Sequence, residues 1–257
     1  MTAGLTLAAE TGVPLPAPQA VLFGLHEAPI TVIEPHRSTS LKPVEATYKG
    51  FPAVLVLDAL LGVQWRATDA LVGFEARDGY LSMIPSAQLL RYPAYLVYAR
   101  ADGDDFSVET PPLNNLVKLG PWYLVWDNVL HANLQADGAT YWPYQVEKIG
   151  LVSAPSKAKL FPAMLPERYR DGAVLTEKYC LSCHQVNGVG GRKLPIDLGQ
   201  WAAGQSYARF ATWVLDPSGK NPLTKMPALA PERPANERQL MARQIYGYLR
   251  AMGALGK

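Results

Sequence analysis

The sequence predicts an α+β chain: a β-rich part over residues 1–150, a proline-rich linker over 151–167, and an all-α part over 168–257. Three observations lead there. Short β-branched and aromatic runs with period-two alternation fill the first part, and one pair brackets an Asp-Gly turn. Pro155, Pro162 and Pro166 then cluster among small polar residues, the composition of a semi-rigid linker. Beyond the linker, apolar residues recur at helical spacing, most plainly in Leu240, Met241, Ile245, Tyr248, Leu249 and Met252.

Length and composition agree with two units. A chain of 257 residues exceeds the usual single domain, and 49% apolar residues suffice for more than one core. Pro 22 and Gly 21 favour turns and β structure over a helical bundle. The net charge of +2 and the lack of a basic tract argue against a nucleic-acid partner or an anionic membrane surface. No apolar run approaches the ~20 residues of a spanning helix, so no transmembrane segment is expected.

Taken in order, residues 1–20 read as a proline-rich arm or first edge, with Pro14, Pro16 and Pro18. Residues 28–34 form a β-branched run and 48–52 look like a turn. Residues 53–62 are apolar on several faces and end in glycine, compatible with a buried strand or a short helix. Leu71–Ala76 alternates, Asp78-Gly79 turns, and Leu81–Pro85 returns as a hairpin. Tyr95–Arg100, Trp122–Asp127 and Tyr144–Gly150 read as further strands. The aromatic residues Trp122, Tyr123, Trp126, Tyr141, Trp142 and Tyr144 read mostly as core, with some at an interface. His26, His36 and His131 lack the i, i+3 or i, i+4 spacing of a paired ligand set and read as ordinary histidines.

The chemistry-bearing stretch is Tyr179-Cys180-Leu181-Ser182-Cys183-His184. It holds both cysteines of the chain. C-x-x-C-H is the attachment signature of a c-type haem. Each thiol would add to a vinyl group as a thioether, and His184 is placed to ligate the iron. Three other readings compete. A thioredoxin-type pair sits at a helix N-terminus after a strand, whereas residues 171–179 read as a helix leading into the pair. A structural zinc site needs four ligands. A disulfide would leave His184 without a role.

The first part resembles the molybdopterin-binding domain of the sulfite-oxidase type. The residues concerned are Tyr48, Gly50 and Pro52, Leu60–Val63, Val72, Phe74, Ala76, Asp78-Gly79-Tyr80, Ile84-Pro85, Leu89-Leu90 and Ala94–Tyr98. Leu113, Leu116-Val117, Gly120, Trp142, Val146 and Ile149 continue the likeness. That family binds molybdenum through a cysteine thiolate, and here both cysteines belong to the haem motif. The resemblance therefore implies a scaffold kept for binding or docking, and no molybdopterin is expected.

From about Glu167 onward the chain resembles small class I c-type cytochromes. The resemblance implies one covalent haem c held by Cys180, Cys183 and His184. It implies a proline carbonyl at Pro195 accepting the proximal histidine's Nδ1–H, which orients the ring. It also implies that Lys225-Met226-Pro227 presents Met226 as the sixth ligand, giving His/Met ligation of higher potential than two histidines. Met241 and Met252, within the final helix over 236–252, read as core, and Met164 lies in the linker. Ser206 or Gln205 caps a middle helix bearing Phe210, Trp213 and Val214.

Together these readings point to periplasmic electron transfer, with the first part docking a redox partner, either a dehydrogenase or a terminal acceptor. A haem-containing oxidoreductase binding substrate or cofactor in the first part, and a haem-based sensor with a labile sixth ligand, are the alternatives. Residues 1–10 carry no basic start and too short an apolar run for an export signal. The periplasmic reading thus implies that an export segment has been removed.

Overall fold

The computed structural model describes residues 12–18, 24–39, 42–110 and 115–255. The expected arm over residues 1–20 falls largely outside them, as does Leu113. What is described of the arm is a short strand, β1 (Val13–Pro14), paired with a strand near residue 149.

Next come β2 (Ala28–Ile33), β3 (Glu45–Pro52), helix α1 (Ala53–Leu61), β4 (Leu71–Ala76), β5 (Leu81–Pro85) and helix α2 (Ser86–Arg91). They are followed by β6 (Ala94–Arg100), β7 (Ser107–Thr110), β8 (Asn115–Lys118), β9 (Tyr123–Trp126) and β10 (Val146–Leu151). Two four-stranded antiparallel sheets result, ordered β2-β3-β6-β9 and β1-β10-β4-β5. Their apolar side chains share one core that includes Val32, Tyr48, Val72, Phe74, Ile84, Leu96, Trp122, Tyr123, Trp126 and Val146. Alternation explains the sheets: Val32, Ala46 and Tyr48 are buried while their neighbours Thr31, Glu45 and Lys49 are exposed. Residues 48–52, expected as a turn, belong to β3, where the register against β6 shifts between Lys49 and Gly50. Such a bulge looks like turn chemistry in a sequence. The run over 53–62, open between strand and helix, is helix α1.

Residues 151–167, expected as a linker, complete β10 and then form helix α3 (Ala154–Leu160), capped by Ser153. Leu160 and Leu165 are buried in a second core. Helices α4 (Arg170–Tyr179), α5 (Leu198–Ala203), α6 (Tyr207–Leu215), α7 (Pro217–Lys220) and α8 (Ala235–Leu255) surround it. Helix α8 buries Met241, Ala242, Ile245, Tyr248, Leu249 and Met252, the i, i+3, i+4 face of an amphipathic helix. Ser206 caps α6 by accepting from the Arg209 N–H, and Asp197 caps α5.

The expectation of a β-rich sulfite-oxidase-like part followed by an all-α cytochrome c part does not hold. The chain is mixed α/β around a β-rich body, with helices and strands interspersed. Helices α1 and α2 lie within the first part. Directly after His184, strands β11 (Gln185–Val186) and β12 (Val189–Gly190) pair antiparallel. Their turn is Asn187-Gly188, with φ of 51° and 75°. This is the two-residue hairpin chemistry that requires positive φ at both positions. A strand of the first part also reaches the second core, since Met83 of β5 is buried there.

Candidate functional site

Helix α4 ends at the cysteine pair. Asp171 in its first turn complements the helix dipole. The N–H groups of Cys180 and Leu181 both close on the Thr176 carbonyl, at 2.9 and 3.2 Å. Cys183 and His184 then donate to the Cys180 carbonyl at 3.3 and 3.0 Å, so the motif is one compact turn off the helix end. Both thiols are free and half-buried. Burial pushes the Cys180 thiol up to about 12, and desolvation raises Cys183 as well. Both are therefore held as neutral thiols at neutral pH.

The loop that follows folds back over this turn. Leu194 donates its N–H to the Cys183 carbonyl at 2.9 Å, and Gly191 donates to the Leu181 carbonyl at 2.7 Å. A Cβ at Gly191 would stand 2.0 Å from the Ser182 carbonyl oxygen, which only glycine allows. His184 Nδ1 lies 3.0 Å from the Leu194 carbonyl oxygen. The expected acceptor was the Pro195 carbonyl, one residue further on. Pro195 acts through its neighbour instead: a residue before proline is restricted to extended backbone, which limits where the Leu194 carbonyl can point. Desolvation lowers the His184 pKa, partly opposed by the Leu194 carbonyl. The ring is thus neutral, with Nδ1 as donor and Nε2 presenting its lone pair.

Met226 lies in the irregular stretch between α7 and α8, half-buried against the second core, which Cys180 also borders. Its N–H donates to Thr224 Oγ1 at 3.2 Å. Among the other described methionines, Met83, Met241 and Met252 are core side chains and Met164 is exposed. Leu194, Ile196 and Leu223 are apolar and exposed on the segments flanking His184 and Met226. Free thiols at this spacing, an oriented neutral imidazole, a partly covered thioether and an apolar rim fit a covalently attached haem. The haem would take Cys180 and Cys183 as attachment points and His184 and Met226 as iron ligands.

The strand body holds a second polar cluster that the sequence reading missed. Glu34 is fully buried and accepts from Tyr48 at 2.6 Å, from Tyr123 at 3.0 Å and from the His36 N–H at 3.0 Å. His36 Nδ1 lies 2.9 Å from the same carboxylate. Desolvation raises the Glu34 pKa, but the hydrogen bonds and charge of His36, together with the Tyr48 hydrogen bond, outweigh it and the net direction is down. The Glu34-x-His36 spacing is the one trace of this in the sequence. Trp122, Tyr123, Trp126, Tyr141 and Trp142 are buried, as core aromatics would be, and Tyr144 stands edge-on to His36 with ring centroids 5.5 Å apart. His26 is exposed and His131 packs edge-on to Tyr92. Among the described residues, no three His, Cys, Asp or Glu side chains gather as a metal site, and no helix is long and apolar enough to cross a membrane.

In comparisons with known proteins, no family model matches the chain and no curated protein matches it.

Proposed function

We propose that this chain is a periplasmic electron carrier with one covalently attached haem. Cys180 and Cys183 would hold the group, and His184 and Met226 would ligate its iron. When bound, the haem supplies a one-electron iron couple. Residues of this chain do the rest. The Leu194 carbonyl holds the His184 ring in one tautomer and raises its basicity. The Met226 thioether would be a second, soft iron ligand, which would favour electron exchange over ligand binding and raise the potential. The strand body docks the redox partner, a dehydrogenase or a terminal acceptor. The observation that carries this reading is the turn off α4, with two free thiols flanking Leu181-Ser182 and a histidine whose Nδ1 is already engaged.

The first test is expression in a host able to attach haem, followed by denaturing mass spectrometry and a pyridine haemochrome spectrum. One haem that survives denaturation, and is lost in Cys180→Ala and Cys183→Ala, is expected; a chain without it sinks the proposal. Met226→Ala is expected to lower the potential, remove the red absorption band of thioether-ligated ferric haem and permit carbon monoxide binding to the reduced form. Wild-type protein that already binds carbon monoxide readily would favour the sensor or enzyme reading.

A further inference from the structure

The tip of the β4–β5 hairpin lies against the cysteine turn. The Leu81 N–H donates to the Ser182 carbonyl at 2.9 Å, and the Arg192 N–H donates to the Gly79 carbonyl at 2.7 Å. Gly79-Tyr80-Leu81 therefore runs between Ser182 on one side and Gly191-Arg192 on the other. Ion pairs flank this strip. Lys193 Nζ is 2.6 Å from Asp78, and Arg192 pairs with Glu75. Tyr80 occupies the centre of this strip, between the two hydrogen-bonded residues Gly79 and Leu81, with the Lys193 ammonium 5.9 Å from its ring centroid. Residues about a hundred positions apart in the chain thus build one surface beside the second cysteine.

We infer that Tyr80 is a positioning residue of the haem-attachment segment, with the Asp78–Lys193 pair as its latch. Its ring shields Cys183 from solvent. The Leu81 N–H next to it holds the carbonyl of Ser182, a residue between the thiols that no helix or strand restrains. The strand body is then part of the haem environment, and this edge of the segment is closed to an external partner. The inference rests on the haem reading for its functional meaning, but its geometry can be tested without haem.

In the haem-free full-length chain, iodoacetamide labelling is followed at each cysteine by peptide mass at one fixed pH. Tyr80→Ala is expected to speed labelling of Cys183 several-fold and leave Cys180 as in the wild type; Tyr80→Phe, which keeps the ring, is expected to restore protection. In the haem-loaded protein, Tyr80→Ala is expected to shift the midpoint potential and Tyr80→Phe to recover most of the shift. Asp78→Asn, which keeps the ring and removes a negative charge beside the segment, is expected to raise the potential, and it stands in should Tyr80→Ala fail to fold. Equal acceleration at both cysteines, or unchanged labelling and potential in folded variants, overturns the inference. Selective labelling in a chain that never acquires haem would overturn the haem reading and leave the positioning role of Tyr80 standing.

Discussion

Glu177 shows how a single buried group sets a pH dependence. It sits on the inner face of α4, three residues before Cys180, and is only 4% exposed. The nearest polar partner is the Tyr141 hydroxyl at 3.5 Å. Burial pushes its carboxyl up to about 8, with Tyr141 and Lys178 opposing. Between the unfolded value of 4.5 and about 8, the unfolded chain has released this proton and the folded chain keeps it. Stability therefore falls as pH rises through that window and stays at the lower value above it. At about 1.4 kcal/mol per unit, the fall amounts to a few kcal/mol. Glu177→Gln should flatten this part of the curve and raise the melting temperature at and above pH 8. Thermal melts from pH 5 to 9 check it, and an undiminished slope in the variant would assign the dependence elsewhere. Nothing in the local sequence marks Glu177 as buried, because the apolar pattern of α4 is broken by charged residues on both sides of it.

At the scale of elements, the stretch from Gln185 to Pro195 decides the geometry of the motif. The C-x-x-C-H spacing and the helix entering it are both legible in the sequence. The β11–β12 hairpin has its own local signal, Asn187-Gly188 between two valines, but the glycines that follow it at 190 and 191 blur the strand pattern. The identity of the His184 partner was not legible at all. Leu194 and Pro195 both offer carbonyls, and only the folded backbone chooses between them. Gly191→Ala tests the packing of this element. The new methyl would have to force the loop off the Ser182 carbonyl. Overpacking of this kind costs about 1–3 kcal/mol. A lowered melting temperature is expected, together with a weakened His184–Leu194 contact seen as a changed imidazole NMR signature. Unchanged melting would mean that the loop gives way freely.

For the whole molecule, the sequence reading anticipated two separable parts on a spacer, and two hydrophobic cores are present. They are also joined at several places. Asp137, from the strand body, meets Lys178 at 2.6 Å and Tyr179 at 3.0 Å on α4, and Arg233 at 2.8 Å before α8. The hairpin tip and Met83 form a second junction, and Lys157 of α3 pairs with Asp69 at 2.8 Å as a third. Removing Asp137 leaves Lys178 and Arg233 facing each other without the anion. Hydrogen bonds to charged groups contribute about 1.5–3 kcal/mol, so Asp137→Ala should lose about that much. It should also broaden or split the denaturant transition, as the two cores cease to unfold together. Equilibrium unfolding followed separately by tryptophan fluorescence, concentrated in the strand body, and by far-UV circular dichroism checks this. Coincident, unshifted curves would show that the junction contributes little.

By itself the sequence determined the parts whose information is local. The C-x-x-C-H spacing, the Asp-Gly hairpin, the amphipathic face of α8 and the Ser206 cap of α6 depend on residues within a turn or two of one another, and period and turn chemistry suffice to read them. Tertiary structure alone decided what depends on distant neighbours. It put Glu34 and Glu177 out of water with opposite consequences, because one has several donors and the other has one distant hydroxyl. It gave His184 the Leu194 carbonyl rather than that of Pro195. It interspersed helices and strands where a division into β-rich and all-α parts was expected. It also brought the hairpin tip around Tyr80, about a hundred residues upstream, against Ser182, next to Cys183. No window along the chain contains both residues, so only the packing of the hairpin on the end of α4 could reveal that pairing.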